Sequence, residues 1–253
     1  MTKQNCALCG TEIGLLAQQK LADGNYICRK VCAKKCLKVM DLMHATLDQV
    51  KTHIQQIEFG TKAWEQIFVP LMKTKVKDEK LKYLCQNGQL VVSPSTGLVA
   101  LIQNDYKFFV FGKTTRACVY RLADLYRYEY ETEVTKDSEG KDVTKHFCYL
   151  GFSGVSGLSD FRLPISSQSD FLSIEKYFNT LFGIQKTLRN VGNNFKSQIN
   201  AAKAVAQAVK AVKDKDADME AKAAGAVEAL DAAVYGDRTE WIKKADIALA
   251  TVK

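Results

Sequence analysis

Apolar positions change their spacing along the chain, and each change marks a new element. Leu47, Val50, Ile54 and Ile57 recur every three or four residues, the period of a helix that buries one side. Thr46-Leu47-Asp48-Gln49 at the head of this run has the T-x-x-Q form of a capping box. From about residue 86 to 165 the texture becomes that of strands, predicted at 90–92, 98–102, 107–111, 117–120 and 146–152. Ser93-Pro94-Ser95-Thr96-Gly97 and Asp137-Ser138-Glu139-Gly140 supply turns between them. Tyr126, Tyr128 and Tyr130 alternate with Arg127, Glu129 and Glu131, which predicts tyrosines on one face and charges on the other. The helical period returns with Phe171, Ile174, Tyr177, Phe178, Leu181 and Phe182, and Gly183 is the stop. Alanine and charged residues then dominate 194–253. They predict helices at 201–212 and 219–234, and a third capped at Asp237 that carries Trp241, Ile242, Ala245 and Leu249, with Trp241, the largest apolar group of the tail, as its expected anchor.

This order predicts an α+β, multidomain chain. Residues 1–38 form a small N-terminal segment and 39–85 a helix with a basic connector. Residues 86–190 form an antiparallel β domain closed by a helix, and 191–253 an alanine-rich helical tail. A length of 253 residues admits one to three domains. With 47% hydrophobic and 25% charged residues, wholesale disorder is excluded. No apolar run reaches the ~18 residues of a spanning helix, and the start MTKQNCALCG lacks the layout of a secretory signal. A cytoplasmic, reducing location is the expectation.

That expectation decides how the cysteines are read. Five of the eight, Cys6, Cys9, Cys28, Cys32 and Cys36, fall in the first 36 residues. Clustered thiols in a reducing compartment point to metal rather than to disulfides. Cys6-x2-Cys9 and Cys28-x3-Cys32, 18 residues apart, offer paired sulfurs on two turns, as four thiolates around one tetrahedral zinc ion require. Gly10 follows the second cysteine, and Asp23-Gly24 makes a turn between the pairs. Ile13, Leu15, Leu16, Leu21 and Ile27 are too few to form a core alone, so metal must supply stability. Cys36 lies four residues after Cys32, on the same side of a short helix, and is the alternate fourth ligand. Four thiolates leave no position for water, so the zinc is read as structural.

The residues Cys6, Cys9, Gly10, Leu21, Asp23, Gly24, Ile27, Cys28 and Cys32 resemble a bacterial zinc-ribbon family of unknown function, found mainly in Firmicutes at the N-terminus of longer proteins. That family usually closes with C-x2-C; here Val31 is an extra residue. The resemblance covers about 50 residues and implies a zinc-binding accessory module with no known activity. The stretch RACVYRLADLYRYEYE resembles the β segment that follows the ribbon in the same family. A meander of strands closed by one amphipathic helix is similar to the pleckstrin-homology superfold.

Charge adds the question of partners. Residues 1–100 hold 14 Lys and Arg against 8 Asp and Glu. Lys73, Lys75, Lys77, Lys80 and Lys82 crowd into KTKVKDEKLK, a candidate grip for the phosphates of nucleic acid or of an acidic membrane surface. The same lysines also suit a solvated strand edge that resists aggregation. None of the three histidines sits in a catalytic setting, and Gly112-Lys113-Thr114 lacks the first glycine of a phosphate-binding loop. The sequence therefore predicts a non-enzymatic interaction or adaptor protein with a protein partner. Nucleic-acid binding is the alternative and acidic-lipid binding the third reading. The 194–253 tail suits self-association.

Overall fold

The computed structural model describes residues 4–85, 88–106, 113–153, 155, 158–183 and 238–253. The chain divides into a first compact unit, residues 1–172 with 241–253, and a second, residues 173–240.

Two small hairpins open the first unit. β1 (Gln4–Asn5) pairs with β2 (Glu12–Ile13), and β3 (Gln18–Lys20) pairs with β4 (Tyr26–Cys28). A single helical turn, α1 (Cys32–Lys35), follows. Ile13, Leu21 and Ile27 are buried in one cluster with the cysteines. Leu15 and Leu16 do not join it: they lie on a 3-10 turn, Leu15–Ala17, that leaves both in solvent.

α2 (Leu47–Ala63) starts at the expected capping box. Thr46 Oγ1 accepts from Gln49 N at 3.3 Å, and Gln49 Oε1 accepts from Thr46 N at 2.9 Å. The Asp23 carboxylate adds a second anchor, accepting from Leu47 N at 2.8 Å and Asn25 N at 3.2 Å, which places negative charge at a helix N-terminus. The helix does not stop near 57. It continues through a π turn, Trp64–Phe68, into α3 (Val69–Met72). Pro70 lacks an N–H and its ring clashes with the carbonyl four residues back. The wider turn just ahead, in which Val69 N bonds Trp64 O, accommodates it. Residues 59–72, expected as part of a connector, are thus helical, and Trp64, Ile67 and Phe68 dock beside Val91, Leu98 and Ala100.

β5 (Lys82–Leu84), β6 (Leu90–Ser93), β7 (Leu98–Tyr106) and β8 (Lys113–Arg121) form an antiparallel meander in that order. β9 (Leu125–Lys136), β10 (Asp142–Phe152) and β11 (Asp160–Ile165) form a second antiparallel sheet with β10 in the middle. The strand expected at 107–111 lies outside the described residues. α2 lies directly on β8. At Gly60 an added Cβ would sit 2.9 Å from Cys118 Cα and Val119 N, and against Ala117 O. Thr61 Oγ1 accepts from Ala117 N at 3.2 Å, holding the crossing in register. Aromatic rings join the two sheets: Tyr120 stacks on Phe152 at 4.4 Å between centroids and tilts against Phe161 at 5.5 Å.

The tyrosine stripe is only partly as the alternation predicts. Tyr128 is buried, and Tyr130 stacks on His146 at 5.9 Å. Tyr126 leaves the stripe because the register between β9 and β10 shifts at Gly151/Phe152. A bulge adds one residue to one strand and breaks the period of two. Leu125 takes the buried place, and Tyr126 lies beside the Arg127 and Asp160 side chains at Gly151.

α4 (Gln168–Leu181) matches the expected helix and is followed by Gly183 at φ +69. The helices expected at 201–212 and 219–234 lie outside the described residues. The last one is present as α5 (Thr239–Leu249). Its buried anchor is Ala245 rather than Trp241, which is half-buried. Gly97, at φ +66, explains this choice: a Cβ there would fall 2.5 Å from the Trp241 carbonyl oxygen, so backbone meets backbone. Beyond α5, Lys253 N donates to Gln66 Oε1 at 3.0 Å, and Gln66 Nε2 donates to Lys253 O at 3.2 Å. None of the described helices is long and apolar enough to cross a membrane.

Candidate metal centre

The first hairpin bends its chain so that two thiols face one point. Cys6 N donates to Thr11 O at 2.8 Å and Gly10 N to Cys6 O at 2.8 Å, with Gly10 at φ +72, a conformation costly for any residue with a side chain. Ala7 N donates to Tyr26 O at 2.8 Å, fastening this loop to β4, whose last residue is Cys28. α1 then begins on Cys32.

As a result the sulfurs of Cys6, Cys9, Cys28 and Cys32 all lie within 4.8 Å of one another. Cys6 and Cys32 are 3.6 Å apart, and Cys9 and Cys28 are 3.8 Å apart. Ligands about 2.3 Å from a tetrahedral ion stand roughly 3.8 Å from each other, so the donor set fits one metal ion. Three of the four thiols are buried and Cys9 is exposed.

The surrounding backbone favours thiolate. Burial pushes the Cys6 thiol up, but N–H groups of Cys9, Leu8 and Cys28 overcome this and bring it below the ordinary value. Cys28 N lies 3.3 Å from Cys6 Sγ, and Cys32 N lies 3.2 Å from Cys28 Sγ. Bonds from the Thr11 hydroxyl and backbone, then from Cys6 and Cys32, lower Cys9 to about 6. Cys32 goes the other way, raised by burial and by its three thiol neighbours. Crowded sulfurs cannot all ionise unaided, and a cation resolves that conflict.

Cys36 is not in the cluster. It is buried four residues on, and burial raises its thiol to about 11. The extra residue, Val31, is exposed and precedes α1, whose first turn presents Cys32 to the other three sulfurs. The five lysines are all exposed: Lys82 lies on β5, at the edge of its sheet, and Lys73, Lys75, Lys77 and Lys80 lie between α3 and β5. None pairs with a described carboxylate.

Two residues that hold the centre against the sheets are not evident from motif spacing. Arg116 on β8 donates through Nη1 to the carbonyls of Lys34 at 2.6 Å, Lys35 at 2.8 Å and Cys36 at 3.2 Å. These carbonyls end the helix that Cys32 begins, where a cation is favoured. Arg116 Nε is held by Asp105 at 2.7 Å, and Asp105 accepts from Gln103 at 2.8 Å. Gln103 Oε1 in turn accepts from Lys38 N at 2.8 Å. The second residue is His53, fully buried on α2. Its Nε2 accepts from Leu37 N at 3.1 Å, so its proton sits on Nδ1, 3.9 Å from Cys118 Sγ. Burial, then the nearby Arg116 charge, lowers His53 to about 4. Its signal was in the sequence: the buried stripe runs Val50, His53, Ile57, Gly60, Ala63. His44, by contrast, is exposed and paired with Asp41 at 2.7 Å.

Among known proteins, residues 4–53 match the family model described as a domain of unknown function, DUF4428. The matched segment begins at β1 and ends on His53, so it spans the four-cysteine cluster and the start of α2. No curated protein and no solved structure matches the chain. The N-terminal segment is similar to a family without an assigned activity, and it carries a cysteine cluster able to hold a metal ion.

Proposed function

We propose that the chain is a non-catalytic, cytoplasmic zinc-binding adaptor. In this reading Cys6, Cys9, Cys28 and Cys32 hold one structural zinc ion. The four convergent sulfurs carry it: four thiolates suit zinc and fill its tetrahedron, leaving no place for a reacting water. Bound zinc would supply the stability that so few buried aliphatic residues cannot. The domain beyond the ribbon is read as pleckstrin-homology-like. In support, a four-stranded and a three-stranded antiparallel meander are followed by α4. Such a body offers loops and a sheet edge to a protein partner.

The exposed lysines from Lys73 to Lys82 favour a second reading, nucleic-acid binding, because no described carboxylate neutralises them. Salt separates the two. A protein partner captured by the full chain should stay bound as salt is raised and be lost from a Cys28→Ser variant. Binding to duplex or single strands that weakens steeply with salt, with no protein captured, would replace the adaptor reading.

A further inference from the structure

The 3-10 turn Leu15–Ala17 leaves Leu16 91% exposed and Leu15 66% exposed. The segment after β4 lies against it: Arg29 N donates to Ala17 O at 2.9 Å, and Val31 is 58% exposed. A small ribbon that buries Ile13, Leu21, Ile27 and Leu37 thus leaves three other aliphatic side chains, Leu15, Leu16 and Val31, in water. Basic residues adjoin them along the chain. Lys20, Arg29 and Lys30 are exposed and pair with no described carboxylate. Across residues 12–38 six Lys and Arg face two acids, Glu12 and Asp23, and the Asp23 carboxylate is occupied by Leu47 N and Asn25 N.

The geometry points to this tip as a site that inserts into an anionic lipid surface, with Leu15, Leu16 and Val31 entering the acyl boundary and Arg29, Lys30 and Lys20 meeting the headgroups. Apolar side chains that project while cations flank them match the two layers of a bilayer interface, apolar below and anionic above. A leucine exposed almost completely needs a matching cavity on a protein, whereas a bilayer opens around it. Nucleic acid admits a leucine only as a wedge between base steps, at the cost of unstacking them. The inference assigns the adaptor a location and rests on the ribbon being metal-held, so metal content is measured on every sample used.

The test is sedimentation of the full, zinc-loaded chain with phosphatidylcholine vesicles, with and without phosphatidylserine, and with duplex DNA as a competitor. Binding is expected only where phosphatidylserine is present. Leu15→Ser with Leu16→Ser should lower it about 30-fold or more, and Arg29→Glu with Lys30→Glu about 10-fold or more. All variants should keep their metal, because these side chains are exposed. In a Leu16→Trp variant the added indole emission should shift to the blue on anionic vesicles. Absence of vesicle binding by a zinc-loaded chain overturns the proposal, as does binding that survives loss of both leucines. Binding that DNA abolishes equally in the wild type and the leucine variant also overturns it, in favour of a general polyanion patch. Loss of metal in the wild type would instead count against the zinc reading.

Discussion

The ribbon and the sheets solve the same problem with opposite means. In the sheets, Leu90, Val91, Val92, Leu98, Val99, Leu150 and Leu163 are completely buried, and the aromatic rings of Tyr120, Phe152 and Phe161 fill the space between layers. Apolar burial of this kind is the ordinary driving force of folding. In the ribbon, strands of two or three residues bury Ile13, Leu21 and Ile27, and four thiols occupy the centre. Crowded thiolates repel one another, so without a cation the ribbon's centre opposes its own fold. Where the two regions meet, Val50 and Ile54 of α2 and Leu158 pack against the ribbon's cluster. Polar bonds fasten the joint as well: Arg116 on three carbonyls, Gln103 on Lys38 N, and His53 on Leu37 N. A ribbon built around a cysteine cluster able to hold a metal ion is thereby tied to a body built on apolar burial.

The largest effect should come from removing metal. Structural zinc contributes about 10–16 kcal/mol to small folded domains, so a strong chelator should unfold residues 4–40. The strand signal of 82–165 should persist in circular dichroism. Simultaneous loss of both would show one cooperative unit and erase the contrast between ribbon and sheets.

Next comes the crossing of α2 over β8. Gly60→Ala gains up to about 1 kcal/mol of helix propensity, but the new methyl meets backbone atoms of Ala117, Cys118 and Val119 that cannot swing away. Overpacking costs about 1–3 kcal/mol, and rigid backbone places this site at the upper end. A urea midpoint equal to or above wild type would show that the helix does not sit on β8 so closely.

The polar joint is open to pH. The unfolded chain takes up a proton at His53 near 6.5, whereas the folded chain resists until about 4. Below 6.5 the unfolded state therefore binds more protons. The contribution is complete above 6.5, falls across the window, and is lost by about 4. It amounts to about 3 kcal/mol. Protonating His53 would also end its acceptance from Leu37 N. Urea denaturation from pH 7 to 4.5 should show wild type losing more stability than His53→Gln. Parallel curves would mean that the imidazole is not buried against Arg116 and Cys118.

A smaller effect is expected from Arg116→Ala, about 2 kcal/mol, the usual worth of a charged hydrogen bond. Its sharper signature is metal release. With the end of α1 no longer capped, Cys32 is less well placed, and zinc should pass to a competing chelator faster than from wild type. Arg116→Lys should restore little of this, since an ammonium lacks the guanidinium fork. Unchanged release would make the joint purely structural.

Local chemistry was legible in the sequence and distant chemistry was not. Thr46 and Gln49 cap α2 as their spacing predicts because both partners lie within one turn. The convergence of Cys6, Cys9, Cys28 and Cys32 was legible because two short turns suffice to bring pairs of thiols together. Arg116 could not be read: its carbonyl partners lie some 80 positions away, and nothing local distinguishes it from a surface cation. Tyr126 misled because a bulge is decided by the partner strand, not by the alternation itself. Trp241 misled because size suggested an anchor, whereas the close approach to Gly97 selects Ala245.

Everything proposed for the ribbon depends on one zinc ion held by Cys6, Cys9, Cys28 and Cys32. Metal analysis of the full chain, purified with zinc present, tests it directly. About one zinc per chain is expected, retained in Cys36→Ser and lost from Cys32→Ser. Less than half an equivalent in the wild type, or retention in Cys32→Ser with loss in Cys36→Ser, would contradict it.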